Sequence, residues 1–252
     1  MAETIIEVRD MDLSYGDFPI MHGLNFSIKK GEIFVIMGSS GCGKSTLLKA
    51  MIGLKAPEKG TVTYYGENFW DAAEAEQQKM IRKFGVLYQG GALWSSFTLA
   101  ENVALPMELY SSLTAAQIKE QVALKLSLVG LSGYEDFYPE ELSGGMRKRA
   151  GLARALSLEP RIVFFDEPSA GLDPITARML DDLILELRGI LGITVVVVTH
   201  ELPSIFAIGD NAMLLDAEAK SMIALGRPKE LLSDSKDERV INFLTRAAKA
   251  AK

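Results

Sequence analysis

The sequence predicts an α/β fold built on a mostly parallel sheet, with an antiparallel β portion near the N-terminus and an inserted helical subdomain. Four short, almost wholly apolar runs alternate with helical patterns, which is typical of strands buried on both faces between helices. The first of these runs leads directly into a glycine-rich loop and a helix. Between the second and third runs lies a stretch with helical periodicity and no convincing strand.

The composition is that of an ordinary globular protein. The chain has 252 residues, of which 48% are hydrophobic and 24% are charged, enough for one large core. Its net charge of −6 argues against nucleic acid as the main partner. Cys42 is the only cysteine, so no disulfide forms within the chain, which suits a reducing compartment. No signal peptide is visible, and no apolar run approaches the roughly 20 residues that span a bilayer.

Residue type and turn residues predict the strands and the core helices. Short branched and aromatic runs predict antiparallel strands at Thr4–Arg9, Leu24–Ile28 and Thr61–Tyr65. The apolar runs predict parallel strands at Glu32–Met37, Val86–Tyr88, Arg161–Phe165 and Thr194–Thr199. Helices are predicted at Ser45–Gly53, Ile175–Leu191 and Pro203–Ile208.

The segment 97–159 is predicted to be the inserted helical subdomain. Thr98-Leu-Ala-Glu101 is a capping box that opens a helix, which Pro106 is expected to interrupt or kink. Helical periodicity continues over Thr114–Val129 and Met146–Leu158. We therefore predict one domain over 1–252, with its core at 1–96 and 160–230.

The tail, 231–252, is predicted to be helical. Val240, Phe243, Leu244 and Ala247 recur at the spacing that places them on one face of a helix. This short amphipathic helix either docks on a partner or packs on its own core.

The glycine-rich loop after Ile33–Met37 fits the phosphate-binding pattern G-x-x-x-x-G-K-[ST]. Glycines let the backbone curl so that several N–H groups point at one anion, and the following helix adds its positive end. Lys44 adds a full charge, and Ser45 offers a hydroxyl to Mg²⁺. The sequence therefore predicts a nucleoside triphosphate site. Its loop residues are Gly38, Ser39, Ser40, Gly41, Cys42, Gly43, Lys44, Ser45 and Thr46.

Two carboxylates end the apolar strand Arg161–Phe165. In a phosphate-loop protein, Asp166 at the end of such a strand is expected to hold Mg²⁺, directly or through water. Glu167 is expected to polarise the attacking water. An isolated Asp-Glu pair is often only a solvated acidic turn, but the phosphate loop makes the catalytic interpretation the better one.

A second anion site precedes the helix that carries Arg147, Lys148 and Arg149. Ser143, Gly144 and Gly145 stand at the start of that helix, where a serine and two glycines favour anion binding. With this motif, LSGG, the chain resembles the ATP-binding cassette (ABC) ATPases over essentially its whole length. The resemblance implies a RecA-like phosphate-loop core.

The resemblance implies a role for each matching residue. Tyr15 matches the aromatic that stacks on adenine, and Gln89 matches the glutamine that reaches Mg²⁺ and the water. His200, which follows the strand Thr194–Thr199, matches the switch histidine at the γ-phosphate. Asp173 matches the loop that crosses the dimer interface. The implied catalytic residues are Glu167, His200, Gln89 and Lys44, and the implied metal ligands are Ser45, Gln89 and Asp166.

The same resemblance implies a mechanism. Ser143, Gly144 and Gly145 of one subunit cap the γ-phosphate of an ATP held by the phosphate loop of the other, so two ATP molecules join a head-to-tail homodimer. Hydrolysis removes the bridging phosphate and lets the dimer reopen. Cys42 occupies a variable position in the loop and needs only to be small.

Several stretches look like the ATPases of Mla-type, MCE-associated lipid transporters. They are Gln89–Trp94, LSGGM in place of the commoner LSGGQ, Arg147–Ala155, Asp173–Thr176 and Asp237–Leu244. This resemblance implies an integral membrane permease, an MCE-domain lipid-binding protein and a small regulatory subunit as partners. It implies a peripheral position on the cytoplasmic side of the inner membrane, and a cargo that is phospholipid moved between bacterial membranes or a related hydrophobic compound.

Two alternatives stay open at this point. The first is the ATPase of another importer, for amino acids or metal complexes. The second is a soluble, non-transport ABC ATPase, although those usually carry a coiled-coil insertion or two cassettes, and this chain has neither. The permease is expected to dock beside Gln89 on an apolar socket. The candidates for that socket are Leu93, Trp94, Phe97, Leu105, Met107 and Tyr110.

Overall fold

The computed structural model describes residues 3–250, and the side chains of 246–250 lie outside that description. Two compact units divide the chain: unit 1 comprises residues 3–81 and 194–250, and unit 2 comprises residues 82–193. The strands are β1 (Thr4–Tyr15), β2 (Phe18–Lys29), β3 (Ile33–Gly38), β4 (Lys59–Tyr64), β5 (Glu67–Asn68), β6 (Phe84–Leu87), β7 (Ile162–Asp166), β8 (Thr194–Thr199), β9 (Asn211–Asp216) and β10 (Ser221–Gly226). The helices are α1 (Lys44–Met51), α2 (Glu74–Ile81), α3 (Leu99–Tyr110), α4 (Ala115–Leu128), α5 (Gly144–Ala155), α6 (Pro174–Leu191), α7 (Leu202–Ile208), α8 (Pro228–Asp234) and α9 (Glu238–Ala250), with a 3₁₀ turn at Pro139–Glu141.

Unit 1 combines an antiparallel sheet with parallel strands. Strand β1 pairs antiparallel with β2 and with β4, so that Val8 faces both Phe26 and Val62. Strand β3 lies between β8 and β9 and runs parallel to both. Every residue of β3 and of β8 is buried, as expected for strands covered on both faces. The antiparallel β portion and these two parallel strands are confirmed.

Unit 2 contains the parallel pair β6 and β7 together with helices α3 to α6. The segment 97–159 contains only helices and the 3₁₀ turn, as expected. Its limits as a subdomain stay a prediction. No helix among the described residues is long and apolar enough to cross a membrane.

Pro106 does not interrupt its helix, so that alternative was wrong. Helix α3 runs from Leu99 through Pro106 to Tyr110. The capping box at Thr98 closes its first turn: Thr98 accepts from the backbone N–H of Glu101, and the Glu101 carboxylate accepts from the N–H of Thr98 at 2.7 Å. Val103 and Met107 are buried on one face. Capping and burial together outweigh the hydrogen bond that the proline removes.

The C-terminal helix packs on the core of its own unit. Val240, Phe243 and Leu244 are buried and join a cluster with Val35 and Leu214. Arg239 on the same helix forms an ion pair with Asp216, with Nη1 3.4 Å from Oδ1. Of the predicted apolar stripe, only the side chain of Ala247 lies outside the described residues. Among the described residues, the stripe therefore stabilises unit 1.

Candidate functional site

The glycine-rich loop joins β3 to α1, the order of strand, loop and helix that a phosphate site requires. Gly43 is the N-cap of α1 and has a φ of 98°, which a side chain rarely adopts. Gly38 is held by close packing: a Cβ there would lie 2.6 Å from the carbonyl oxygen of Leu215 on β9. The two glycines therefore permit a loop conformation that other residues do not.

Lys44 folds back over this loop. Its side chain is only 7% exposed, and its ammonium Nζ donates to the carbonyl oxygens of Gly38 at 2.9 Å and Ser39 at 3.1 Å. The next residue, Ser45, is exposed in the first turn of α1, and Thr46 is half-buried. The Lys44 ammonium and the Ser45 hydroxyl therefore both lie at the N-terminus of α1, which is the positive end of the helix dipole.

Cys42 packs inside the loop. The residue is buried, and a Cβ on Gly38 would lie 2.5 Å from its sulfur. Burial raises the pKa of the Cys42 thiol, and the charge of Lys44 opposes that shift only in part. The side chain therefore stays a neutral thiol at physiological pH, in agreement with a position that needs only a small residue.

His200 lies at the same sheet edge as the loop. Because β3 and β8 are parallel and Met37 pairs with Thr199, Gly38 at the end of β3 and His200 directly after β8 lie at the same edge of the sheet. The His200 side chain is 44% exposed, and its Nε2 lies 3.6 Å from the Glu201 carboxylate. Unit 1 thus brings the switch-histidine candidate to the carboxyl end of the strand beside the loop.

Tyr15 ends β1, and its ring is 51% exposed. The ammonium of Lys55, just beyond α1, lies 4.4 Å from the ring centroid, within cation–π range. An exposed aromatic ring of this kind is able to stack on a base.

Unit 2 brings its candidates together in the same way. Strands β6 and β7 are parallel, with Leu87 opposite Phe165. Gln89, two residues beyond the end of β6, and the Asp166-Glu167 pair at the end of β7 therefore lie at one sheet edge. Gln89 is exposed. Burial raises the pKa of the intervening Tyr88, the negative charge of Asp166 raises it further, and the positive charge of Arg154 opposes that shift in part.

Glu167 adopts a conformation that is uncommon for its residue type. Its φ is 48°, in the left-handed region that costs a non-glycine residue about 1–3 kcal/mol. Such strain persists only where the surrounding structure imposes it, and it is concentrated at functional sites. Five other described non-glycine residues also have a positive φ, so this conformation supports a functional role for Glu167 only together with its position directly after β7.

The LSGG segment caps helix α5. Ser143 is the N-cap, and its Oγ accepts a hydrogen bond from the backbone N–H of Met146 at 3.3 Å. Gly145 lies against Thr176, whose Cγ2 would be 2.5 Å from a Cβ at that position. A larger residue at Gly145 would therefore displace the start of α6.

Asp173 is the N-cap of α6. Its carboxylate accepts hydrogen bonds from the backbone N–H groups of Ile175 and Thr176, both at 3.0 Å, and from the Thr176 hydroxyl. The hydrogen bond from that hydroxyl is the main reason that the pKa of Asp173 is lowered. The Asp173 side chain therefore acts as the N-cap of α6.

Three residues that organise the site were missed from the sequence. Lys148 is a buried lysine on α5 that binds the turn after β7. Arg154, on the same helix, donates to the carbonyl oxygens of Ala92 at 2.7 Å and Gly91 at 3.1 Å, just after Gln89. Asn102, on α3, forms hydrogen bonds with the backbone of the loop 93–98. The sequence did contain a signal for Lys148. Helical spacing places it on the same face as the apolar Leu152, which predicts a buried lysine, and a buried ammonium requires hydrogen-bond acceptors.

Sequence comparison places this chain beside transporter ATPases. The family model described as "ABC transporter" matches residues 21–170. The intermembrane phospholipid transport system ATP-binding protein MlaF of Haemophilus influenzae is 39% identical, over 97% of this chain and 91% of its own length. The probable ribonucleotide transport ATP-binding protein mkl of Mycobacterium tuberculosis is also 39% identical, over 95% of this chain and 66% of its own length.

Structural comparison agrees with this result. The dimeric structure of a post-hydrolysis state of the ATP-binding cassette MJ0796, bound to ADP and Pi, matches with a TM-score of 0.80 and 28% sequence identity. The match covers 88% of this chain and 98% of the other. The fold and the sequence therefore both match those of ATP-binding cassette proteins.

Proposed function

Because this chain belongs to the ABC transporter family and is an ATP-binding cassette ATPase, we propose that it powers the movement of phospholipid between bacterial membranes. The observation that carries this proposal is the nearly full-length similarity to the MlaF protein of H. influenzae. The similarity to mkl is equally high in identity, but it leaves a third of that protein unmatched. The phospholipid cargo is therefore the better supported of the two.

Nucleotide binding is assigned to the residues of unit 1. The backbone N–H groups of Gly38–Thr46 and the ammonium of Lys44 are proposed to hold the phosphates, because the loop geometry suits an anion. The exposed ring of Tyr15 is proposed to stack on adenine. His200, at the same sheet edge as the loop, is proposed to contact the γ-phosphate.

Magnesium is the proposed metal, because the chemistry of the candidate donors suits it. Ser45 of unit 1 offers a hydroxyl, and Gln89 and Asp166 of unit 2 offer an amide oxygen and a carboxylate, which are the hard oxygen donors that Mg²⁺ prefers. When bound, the ion would neutralise phosphate charge. Glu167 is proposed to accept a proton from the attacking water, and its fixed backbone supports that role.

Two subunits are proposed to complete each site. The helix N-terminus formed by Ser143, Gly144 and Gly145 is proposed to bind the γ-phosphate held by the other subunit. The dimeric, ADP-bound relative supports a homodimer. Hydrolysis would then weaken the contact between the subunits, because the γ-phosphate is what both of them bind.

A membrane permease is proposed to dock on the loop 93–98. Asn102 is completely buried, and its side chain binds Trp94 twice: it accepts from the Trp94 N–H at 2.8 Å and donates to the Trp94 carbonyl at 3.0 Å. It also donates to the carbonyls of Phe97 and Thr98. The Trp94 ring stays 59% exposed on this fixed loop. A rigid exposed tryptophan is a typical anchor for a protein partner.

The other residues of the predicted socket differ in exposure. Tyr110 is exposed, Met107 is buried, and Leu93, Phe97 and Leu105 are half-buried. We therefore propose Trp94 and Tyr110 as the contact residues. An MCE-domain protein and a small regulatory subunit are proposed as further members of the complex, and its position is proposed to be peripheral, on the cytoplasmic side of the inner membrane.

Trp94→Glu tests the docking surface. We expect association with the permease to weaken by about tenfold or more, because a charge replaces an exposed apolar anchor, while ATP affinity is unchanged. Copurification from detergent-solubilised membranes and calorimetry with ATP measure the two effects. Ile190→Glu is the matched control, since Ile190 is 63% exposed and lies at the end of α6 in the same unit. Equal copurification of Trp94→Glu and the unaltered chain would contradict the proposed surface.

A further inference from the structure

The end of the Lys148 side chain is bound by the backbone of the turn that follows β7. Lys148 is only 6% exposed. Its Nζ donates to the carbonyl oxygen of Ala170 at 2.6 Å and to that of Glu167 at 3.5 Å, and also to that of Pro168. A buried ammonium requires acceptors, and here its three N–H groups meet three carbonyls of a single turn.

The same turn carries Glu167 in its left-handed conformation. The backbone N–H of Ala170 donates to the carbonyl of Glu167 at 3.2 Å, which closes the turn around the ammonium. Turning several carbonyls toward one point is unfavourable unless a cation lies there. Lys148 thus supplies the charge that lets the turn keep a strained residue in place.

We propose that Lys148 is a positioning residue for Glu167: its ammonium holds the Glu167–Ala170 turn so that the carboxylate is directed at the attacking water. This inference rests on the proposed role of Glu167. Because Lys148 lies on the helix that Ser143 caps, the same contact ties the LSGG segment of a subunit to that subunit's own hydrolytic glutamate. A displacement of that segment is then passed to Glu167 through one side chain.

A purely structural role predicts a different result from a positioning role. A buried cation needed only for stability would lower the amount of folded protein and leave the turnover of each folded molecule unchanged. Unit 2 offers a matched example in Lys125 on α4, which is 5% exposed and bonded to the Glu159 carboxylate at 3.3 Å, away from the turn after β7. Lys125→Met therefore controls for the loss of a buried ammonium.

The test compares Lys148→Met, Lys148→Arg and Lys125→Met in the full chain with its permease. Methionine keeps much of the apolar stem but no donor. We expect Lys148→Met to lower kcat for ATP by about 10–100-fold with KM within about twofold, since misplacement of a catalytic group acts on the chemical step. Lys148→Arg keeps the charge and the donors and is expected to recover at least a third of the wild-type kcat. Lys125→Met is expected to leave kcat unchanged per folded molecule.

A double variant shows whether Lys148 acts through Glu167. In the Glu167→Gln background, Lys148→Met is expected to lower kcat by no more than about twofold, because the group that it positions is already absent. A wild-type kcat in Lys148→Met, a raised KM with unchanged kcat, or an equal loss in both backgrounds would overturn the proposal. If Lys148→Met does not fold, Lys148→Gln, which carries a shorter, uncharged amide donor, replaces it. The same outcomes then support or overturn the proposal. Failure of the proposed role of Glu167 is distinguishable, because Glu167→Gln alone would then retain full turnover.

Discussion

Replacing Lys44 by alanine is expected to lower the affinity for ATP by at least ~100-fold, which corresponds to about 2.7 kcal/mol. Two losses add up. The variant lacks the ammonium that would form charge-assisted hydrogen bonds to the phosphates. It also lacks the bonds from Nζ to the carbonyls of Gly38 and Ser39, which hold the loop closed around the start of α1. Isothermal titration calorimetry with ATP measures the effect.

Lys49→Ala is the control for this experiment. Lys49 is an exposed lysine in the last turn of the same helix, so its removal changes the net charge equally but leaves the phosphate loop intact. We expect its ATP affinity to stay within about twofold of the unaltered chain, as surface charges of this kind contribute little. Unchanged affinity in Lys44→Ala would contradict the assignment of the loop.

Replacing Glu167 by glutamine is expected to lower kcat by about 10²–10⁴-fold while ATP still binds. Glutamine keeps the size of the side chain but does not accept a proton from water. Because the γ-phosphate that is proposed to join the subunits then persists, the ATP-bound dimer should accumulate. Phosphate release and size-exclusion chromatography with ATP measure the two effects.

Glu159→Gln is the matched control, since Glu159 is also a glutamate with positive φ, at 52°, in unit 2. It lies just after α5, where it pairs with Lys125, and it has no proposed part in hydrolysis. We expect wild-type turnover from this variant. Full turnover by Glu167→Gln, or a monomeric variant at saturating ATP, would remove Glu167 from its proposed role.

Strong local patterns made much of the fold predictable. The run Ile33–Met37 is buried throughout as β3, and Thr194–Thr199 is β8 residue for residue. Glycines and Lys44 between strand and helix indicated the phosphate loop, because few other folds require that order. The family was likewise predicted from motifs whose spacing runs the length of the chain, and the comparisons confirm it.

Weak patterns hid other elements. The hairpin of β9 and β10 was missed because β10 is mostly half-buried and lacks a clear alternation. Helix α2 is largely polar, with Met80 as its buried residue, so that its apolar face is too narrow to recognise. Pro106 was expected to interrupt or kink α3; the interruption did not occur, because burial and capping outweighed the local preference.

Contacts between distant residues were beyond local patterns. The ammonium of Lys148 and the turn after β7 meet only once α5 has packed against that strand's end. Arg154 reaches Gly91 and Ala92 in the same way. Helical spacing indicates which face a lysine occupies, but the identity of its acceptors depends on tertiary structure. The left-handed φ of Glu167 was also not predictable, because nothing about a glutamate in the sequence indicates that conformation.

The most direct test of the central claim is to purify Glu167→Gln from its own cells in mild detergent with ATP and to identify the proteins and lipids bound to it by mass spectrometry. The predicted result is a multispanning permease, an MCE-domain protein and bound phospholipid. A permease accompanied by a soluble binding protein and no phospholipid would contradict the lipid cargo. Ribosomal or DNA-repair partners without any membrane protein would contradict transport altogether.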